Sequence, residues 1–376
     1  MTTVQSQQIW IDQQDLTNTK VVYCDINVGD LQQDEVLLET DSFGFSANNI
    51  TYAALGFKMG YWGFFPPQSG DSCDNPNGFG IVPVWGFATV KASCHPDIKE
   101  GEKVFGYLPM ASHWVIKAGK VAPHGFSDLH EMRNSISPVY DQYLRCAADP
   151  GYDKDREAWQ LNFRPLYMTS FVLDDYVAEK AQGETLLLSS ASSKTALGTA
   201  QLLKDQKASR KASYKVVGLT SQSKVDMVKA SGCYDAVYSY DDLSSLTSDN
   251  SDLRYWLLDF AANGTLINHL SERLGDSLSE VTLIGATDWK AEEKPNPKRL
   301  NAEIFFAPAR VKLRQGEWGH EAFLAKYAGA WQRFASKVSD QFFEQPHQGT
   351  DAITKLYLET LNGTADTKAL NVVTFD

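Results

Sequence analysis

At 376 residues, 43% hydrophobic and 22% charged, the chain is longer than one hydrophobic core usually supports, so a folded protein of two domains is expected. A formal charge of −12 excludes a surface built to neutralise nucleic-acid phosphates. No run approaches the roughly 20 apolar residues that cross a bilayer, and the opening MTTVQSQQIWIDQQD has no basic stretch followed by an apolar one, so a cytoplasmic protein without a membrane partner is expected.

In chain order, Lys20 to Val121 gives short β-like pieces punctuated by Gly and Pro: DEVLLETDSFGFS, FGIVPVWGFATVKAS, GEKVFGYLP and HWVIKA. This spacing predicts a small, twisted β-rich domain. Residues 123–163 are richer in charge and Tyr and read as an insertion or connector. From Gly183 apolar runs alternate with helix-period segments. Strands are expected at 185–190 (TLLLSS), 214–220 (YKVVGLT), 234–240 (YDAVYSY), 254–260 (RYWLLDF) and 279–286 (SEVTLIGA), with helices at ALGTAQLLKDQ, SKVDMVKASG and around LINHLSERLG. Such alternation predicts an α/β, doubly wound parallel sheet covered on both faces. A polar stretch, an aromatic-rich helical region and a final strand, LNVVTFD, follow.

The five cysteines, Cys24, Cys73, Cys94, Cys146 and Cys233, are odd in number, dispersed and without CxxC spacing. Unpaired thiols in a reducing compartment are expected.

The turn after the first strand of a dinucleotide-binding sheet must let backbone N–H groups approach a pyrophosphate at a helix N-terminus, which favours glycine. Here the turn reads SSASSKTALG, with Ser190, Ser192, Ser193, Lys194 and Thr195. Hydroxyls of these residues are able to donate to phosphate oxygens, and Lys194 adds charge. Simple N-capping is the competing reading; SSKT lacks the GxxxxGK[ST] frame of a P-loop. At the end of the second strand, where NAD sites place an acid, the chain has Thr220, Ser221, Ser223 and Lys224, and the first acid is Asp226. That composition favours a 2′-phosphate, hence NADP(H). A solvated helix start with a capping serine is the alternative.

The frame TLLLSSAS…AQLLK resembles the first βα unit of the zinc-independent medium-chain dehydrogenases/reductases, the quinone-oxidoreductase and enoyl-reductase group. Aligned on that pattern, Ser190, Ser193 and Ala196 stand where glycines are usual, and Gly198 lies two residues beyond. GEKVFGY is similar to a turn of the superfamily's GroES-like domain, KASGCYDAVYSYDDL to its helix, Gly and third strand, and LYLETLNGTADTKALNVVTF to its closing helix and strand. With SANNITYA, PVWGFA and FRPLY-TSF the chain resembles one branch within it. The resemblance implies a GroES-like catalytic domain (1–165), a Rossmann domain (166–312) and a segment (313–376) returning to the first. Dimers are common in the superfamily.

Zinc-dependent members supply Cys, a His-Glu pair after glycine, and a further Cys or acid. Trp85-Gly86-Phe87 stands at the pair's place, and Cys94-His95 and Cys146 have no ligand spacing, so no metal is expected. The resemblance sets Asn48 and Asn49 near the asparagine that holds a substrate carbonyl, Thr51 near an aspartate, and Tyr61 near a loop tyrosine, with Tyr52 also in reach. Either phenol suits a proton donor to a developing enolate or alkoxide; packing in the core is the competing reading. YWGFFPP, Trp85 and IFFAP suggest an apolar substrate space. The resemblance further places Asp259, Gly285, Ala286 and Phe306 near the ribose and nicotinamide. Tyr176 and Lys180 match a YxxxK pair, but they precede the phosphate loop and read as ordinary helix.

Two functions are therefore expected. The first is an NADPH-dependent, zinc-independent oxidoreductase acting on a small apolar α,β-unsaturated carbonyl, quinone or ketone. The second is a non-catalytic NADP(H)-binding or sensing protein that keeps the reductase fold.

Overall fold

The structure is a computed structural model that describes residues 2–67, 78–135, 138–247, 253–261, 263–284 and 302–376. The chain divides into two compact units, one of Met1–Asn162 with Phe342–Asp376, the other of Phe163–Gln341.

In the first unit, strands Glu35–Gly44, Pro83–Ser93, Lys103–Pro109, Gln142–Arg145, Gly125–Asp128 and His113–Ala122 are neighbours in that order, and His113–Ala122 pairs back onto Glu35–Gly44. The pairing closes a ring, which leaves these strands no open edge. Its interior is lined by Val36, Leu38, Val84, Val104 and Ile116, all essentially buried. Phe343–Gln348 and Ala369–Thr374 extend the sheet beyond Glu35–Gly44, and a hairpin, Thr3–Asp12 with Thr19–Asn27, forms a separate sheet with Phe79–Gly80.

The stretch read as an insertion contributes two of the ring strands, Gly125–Asp128 and Gln142–Arg145. Each is four residues long, too short for alternation to show. Gly125 permits the pairing, because a Cβ there would stand 2.3 Å from the Tyr143 carbonyl oxygen.

The second unit holds six parallel strands, in the order Ala236–Ser239, Lys215–Thr220, Thr185–Leu188, Tyr255–Asp259, Leu278–Leu283 and Ala302–Ile304. Numbered along the chain this is 3-2-1-4-5-6, the order of a doubly wound dinucleotide-binding sheet. The expected GroES-like plus Rossmann architecture is therefore present. Leu186, Leu187, Leu188, Leu257 and Leu258 are fully buried, as the continuous apolar runs require of a sheet covered on both faces. Helices Ala307–Trp318 and His320–Val338 also belong to this unit, and the chain crosses back between Gln341 and Phe342, later than position 313. Aromatic packing holds them: the rings of Tyr167 and Phe334 stack with centroids 4.7 Å apart.

Tyr176 and Lys180 lie in the helix Glu157–Lys180. The Lys180 ammonium donates to the Tyr176 hydroxyl, Glu280 and Glu303, each at 2.8 Å, and thereby ties the helix to two sheet strands. Among the described residues no helix is long and apolar enough to cross a membrane.

Cys94, Cys146 and Cys233 carry thiols, but Cys24 is disulfide-bonded, which corrects the expectation of five unpaired cysteines. Dispersion along a chain does not measure separation in space once strands pair. Cys73 lies outside the described residues.

Candidate active site

The serine loop follows Leu188 and ends at Ser193, which caps the helix Lys194–Lys207 by accepting from the Ala196 N–H at 3.2 Å. Ser190 has φ +46°, the left-handed region in which glycine is at ease and serine is strained. Three contacts hold that conformation. The Ser190 N–H donates to the Tyr240 hydroxyl at 2.7 Å, the Ala191 carbonyl accepts from the Tyr234 hydroxyl at 2.8 Å, and the Ala191 N–H donates to the Leu219 carbonyl at 3.0 Å. Two tyrosines flanking the third strand thus brace a loop that glycines would otherwise relax. Ser192, Lys194 and Thr195 are half-buried at the helix start, and the Lys194 ammonium lies 5.7 Å from the Phe163 ring centroid. Gly198 lets the helix approach its neighbour: a Cβ there would meet the Ser170 hydroxyl at 2.8 Å.

At the end of the second strand Thr220 is buried, whereas Ser221 and Ser223 are exposed with their hydroxyl oxygens 3.3 Å apart, and Lys224 is half-buried. These groups form a donor-rich surface at the position where an acid would repel a phosphate. Asp259 is fully buried and its carboxylate accepts from the Ser189 hydroxyl at 2.6 Å; that same hydroxyl accepts from the Phe260 N–H at 2.9 Å. Asp259 therefore clamps the first and fourth strands together. Phe306 is the exposed N-cap residue of the helix Ala307–Trp318. Gly285 and Ala286 lie outside the described residues.

In the first unit the helix Ala47–Ala54 carries three of the four catalytic candidates. Asn49 is committed to the backbone: its side-chain oxygen accepts from the Ser46 N–H at 2.9 Å, and its amide donates to the Pro83 carbonyl at 3.1 Å. Asn48, one turn before Tyr52, donates to the Tyr52 hydroxyl at 2.7 Å, and the Trp85 indole N–H approaches the same oxygen at 3.4 Å. Thr51 bonds back to the Ala47 carbonyl of its own helix.

Tyr52 packs on Tyr61 at 4.7 Å between centroids and meets the edge of Tyr107 at 5.6 Å. Tyr61 shares its hydroxyl with Tyr140 at 3.4 Å. Burial pushes all four phenols upward from their usual range, so each is neutral near pH 7. Beneath them lies Arg133, only 1% exposed, 4.3 Å from the Phe65 ring centroid and donating to the Tyr140 carbonyl at 3.0 Å.

Most of YWGFFPP is core rather than the wall of an open space. Tyr61, Trp62, Phe64 and Phe65 are all buried. The Trp62 ring fits because Gly56 and Gly80 have no Cβ to strike it; added carbons would stand 2.2 Å and 2.4 Å away.

Sequence reasoning missed Tyr107, Tyr140, Arg133, Ser189, Tyr234 and Tyr240. For the last two, the tyrosines at either end of the third-strand run were the available signal. Among the described residues no group of three or more His, Cys, Asp or Glu side chains is arranged to hold a metal ion.

Solved structures share this fold. CurA from Vibrio vulnificus, solved with NADPH, has 14% identity and a TM-score of 0.62 over 98% of this chain and 99% of CurA. Etr1p, solved with NADP and crotonyl-CoA, has 12% identity and a TM-score of 0.60 over 99% of this chain and 100% of its own. The YhdH oxidoreductase from Salmonella enterica, solved with NADP, has 14% identity and a TM-score of 0.53 over 98% and 100%. No curated protein matches by sequence.

The fold is thus the one that CurA, Etr1p and the YhdH oxidoreductase share. Within it the chain belongs to the family described as "Protein of unknown function (DUF2855)", whose model matches residues 43–366.

Proposed function

We propose that this chain is an NADPH-dependent oxidoreductase that works without zinc and reduces a small apolar α,β-unsaturated carbonyl, quinone or ketone. One observation carries the reading: a braced serine loop at the C-terminal end of the first strand of a 3-2-1-4-5-6 sheet, opening directly into a capped helix. A pyrophosphate there would meet helix N–H groups and the hydroxyls of Ser190, Ser192, Ser193 and Thr195, with Lys194 adding charge. The adenosine 2′-phosphate would rest against Ser221, Ser223 and Lys224. CurA, Etr1p and YhdH, crystallised with NADPH or NADP, support the choice of cofactor.

When bound, this cofactor supplies hydride; the protein supplies orientation and a proton. Asp259 shapes the floor of the site through Ser189, and Phe306 is proposed to flank the nicotinamide end. Tyr52 and Tyr61, with Asn48, are the polar groups proposed to meet the substrate carbonyl. Asn49 is proposed to set the helix that carries them.

The alternative is an NADP(H)-binding sensor without catalysis, favoured by the strain at Ser190 in place of a glycine. Incubation with NADPH and a panel of enones, quinones and ketones separates the two. Oxidation of NADPH with at least one class supports the enzyme; NADPH binding without any turnover supports the sensor.

A further inference from the structure

The helix Gly349–Leu361 presents two faces. Ile353, Leu356, Tyr357 and Leu361 are buried in the core of the first unit. The Tyr357 hydroxyl donates to the Leu16 carbonyl at 2.9 Å and so fixes the turn of the N-terminal hairpin against the helix. A second stripe, Asp351, Thr354, Lys355, Leu358 and Glu359, keeps the three-and-four spacing of one helix face. It lines a groove of about 510 Å³ whose other wall is Thr19 and Val21, in the strand Thr19–Asn27. All of these residues belong to the first unit.

That strand ends its sheet, and among the described residues it pairs with Thr3–Asp12 alone. Its register fixes where its backbone groups point. The Asp12 N–H donates to the Asn18 carbonyl and the Val28 N–H to the Thr2 carbonyl, each at 3.0 Å, whereas the Ile9 N–H turns the other way, to the Met110 carbonyl at 3.0 Å. Residues opposite one another in an antiparallel pair alternately bond each other and face outward. Val21 and Thr19 stand opposite Ile9 and Ile11, so their N–H and C=O groups point away from the hairpin. Outward backbone groups on a terminal strand, beside a groove walled by a helix, are the elements that accept an added strand.

Charge selects the occupant. Lys355 reaches Glu359 only at 3.9 Å with its side chain 76% exposed, and such a pair contributes little. With Asp351 the stripe keeps a net negative charge, in a chain whose formal charge is −12. Val21 and Leu358 supply a half-buried apolar floor. We propose that this groove binds an extended, cationic peptide segment of a partner protein, which adds as a strand along Thr19–Val21. A Lys or Arg of the segment faces Asp351 or Glu359, and an apolar side chain two residues away rests on Val21 and Leu358, because a strand sends alternate side chains to one face. A second copy of this acidic chain would bring like charge to the same place.

The test titrates the whole chain into the fluorescein-labelled, amidated peptide Thr-Lys-Thr-Val-Thr-Lys-Thr and follows anisotropy. Saturable binding with a Kd of about 100 µM or tighter is expected. One N-methylated version carries its methyl groups on the lysine and valine nitrogens, another on the threonine nitrogens. One of the two, and not the other, should bind about tenfold more weakly or worse, since an added strand bonds through alternate residues. Asp351→Lys combined with Glu359→Lys should weaken binding about tenfold. Val21→Pro should abolish it, because proline removes an outward N–H and no hairpin bond. Absence of saturable binding, equal loss with both methylated peptides, unchanged affinity in the double charge variant, or equal affinity for a peptide with glutamate in place of lysine would each overturn the proposal. A wild type that sediments as a dimer, dissociated by Asp351→Lys with Glu359→Lys, would make a second copy the occupant and overturn it as well.

Discussion

The Ser190 N–H donates to the Tyr240 hydroxyl at 2.7 Å, and this bond spans fifty positions of sequence to hold a serine at φ +46°. Glycine adopts this conformation without the Cβ cost of about 1–2 kcal/mol. Ser190→Gly should therefore stabilise the protein by about 1 kcal/mol, less the entropy gained by the unfolded chain. Urea unfolding of the variant checks the sign: a loss of stability would show that the serine hydroxyl contributes more than the backbone strain costs.

Tyr240→Phe removes the acceptor and leaves the Ser190 N–H to find another. A cost of about 1–2 kcal/mol in stability is expected. NADPH affinity should fall severalfold because the loop is no longer held in place before the ligand arrives. Calorimetric titration beside a thermal melt reads both, and unchanged affinity would mean that the brace serves folding alone.

The clamp between Ser189 and Asp259 is buried at both ends. Ser189→Ala removes the donor from a carboxylate and the acceptor from the Phe260 N–H, with an expected loss of about 2–4 kcal/mol. Asp259→Asn should be milder, since an amide oxygen still accepts. Chemical denaturation of the two variants gives the order.

How far the sequence discloses such contacts depends on their range. TLLLSS, YKVVGLT and RYWLLDF show the central strands because buried parallel strands need unbroken apolar runs. Ser190 is legible as a glycine position because it follows the first strand at a fixed distance. Tyr240 is not, because nothing in YDAVYSY says that its last hydroxyl reaches back to the loop. Arg133 and Tyr107 were missed for a related reason: a buried cation among aromatics looks, in sequence, like any charged residue of a polar stretch. Asn49 shows the opposite case, where an asparagine expected to be catalytic proves to be tied to backbone at both ends of its amide.

Asp141 provides a pH signature. Burial pushes its carboxyl from 3.8 up to about 6, against the pull of Arg133. The folded form therefore holds a proton that the unfolded form has already lost between pH 4 and 6. The more favourable situation exists below pH 4 and is lost as pH rises through 6, by on the order of 1–2 kcal/mol after solvent screening. Asp141→Asn should flatten this part of the stability profile relative to wild type. Parallel profiles for the two proteins would contradict it.

Specificity for the 2′-phosphate is proposed to reside in Ser221, Ser223 and Lys224. Lys224→Glu places a negative charge where the phosphate would sit and should weaken NADPH binding about tenfold or more while affecting NADH far less. Competition binding with the two nucleotides measures this directly.

The most direct test of the account is equilibrium titration of the wild-type protein with NADPH and with NADH, followed by nicotinamide fluorescence. Saturable NADPH binding at least about tenfold tighter than NADH, a difference of about 1.4 kcal/mol, is predicted. Absence of NADPH binding, or a preference for NADH, would contradict the assignment of the serine loop and of the second-strand hydroxyls.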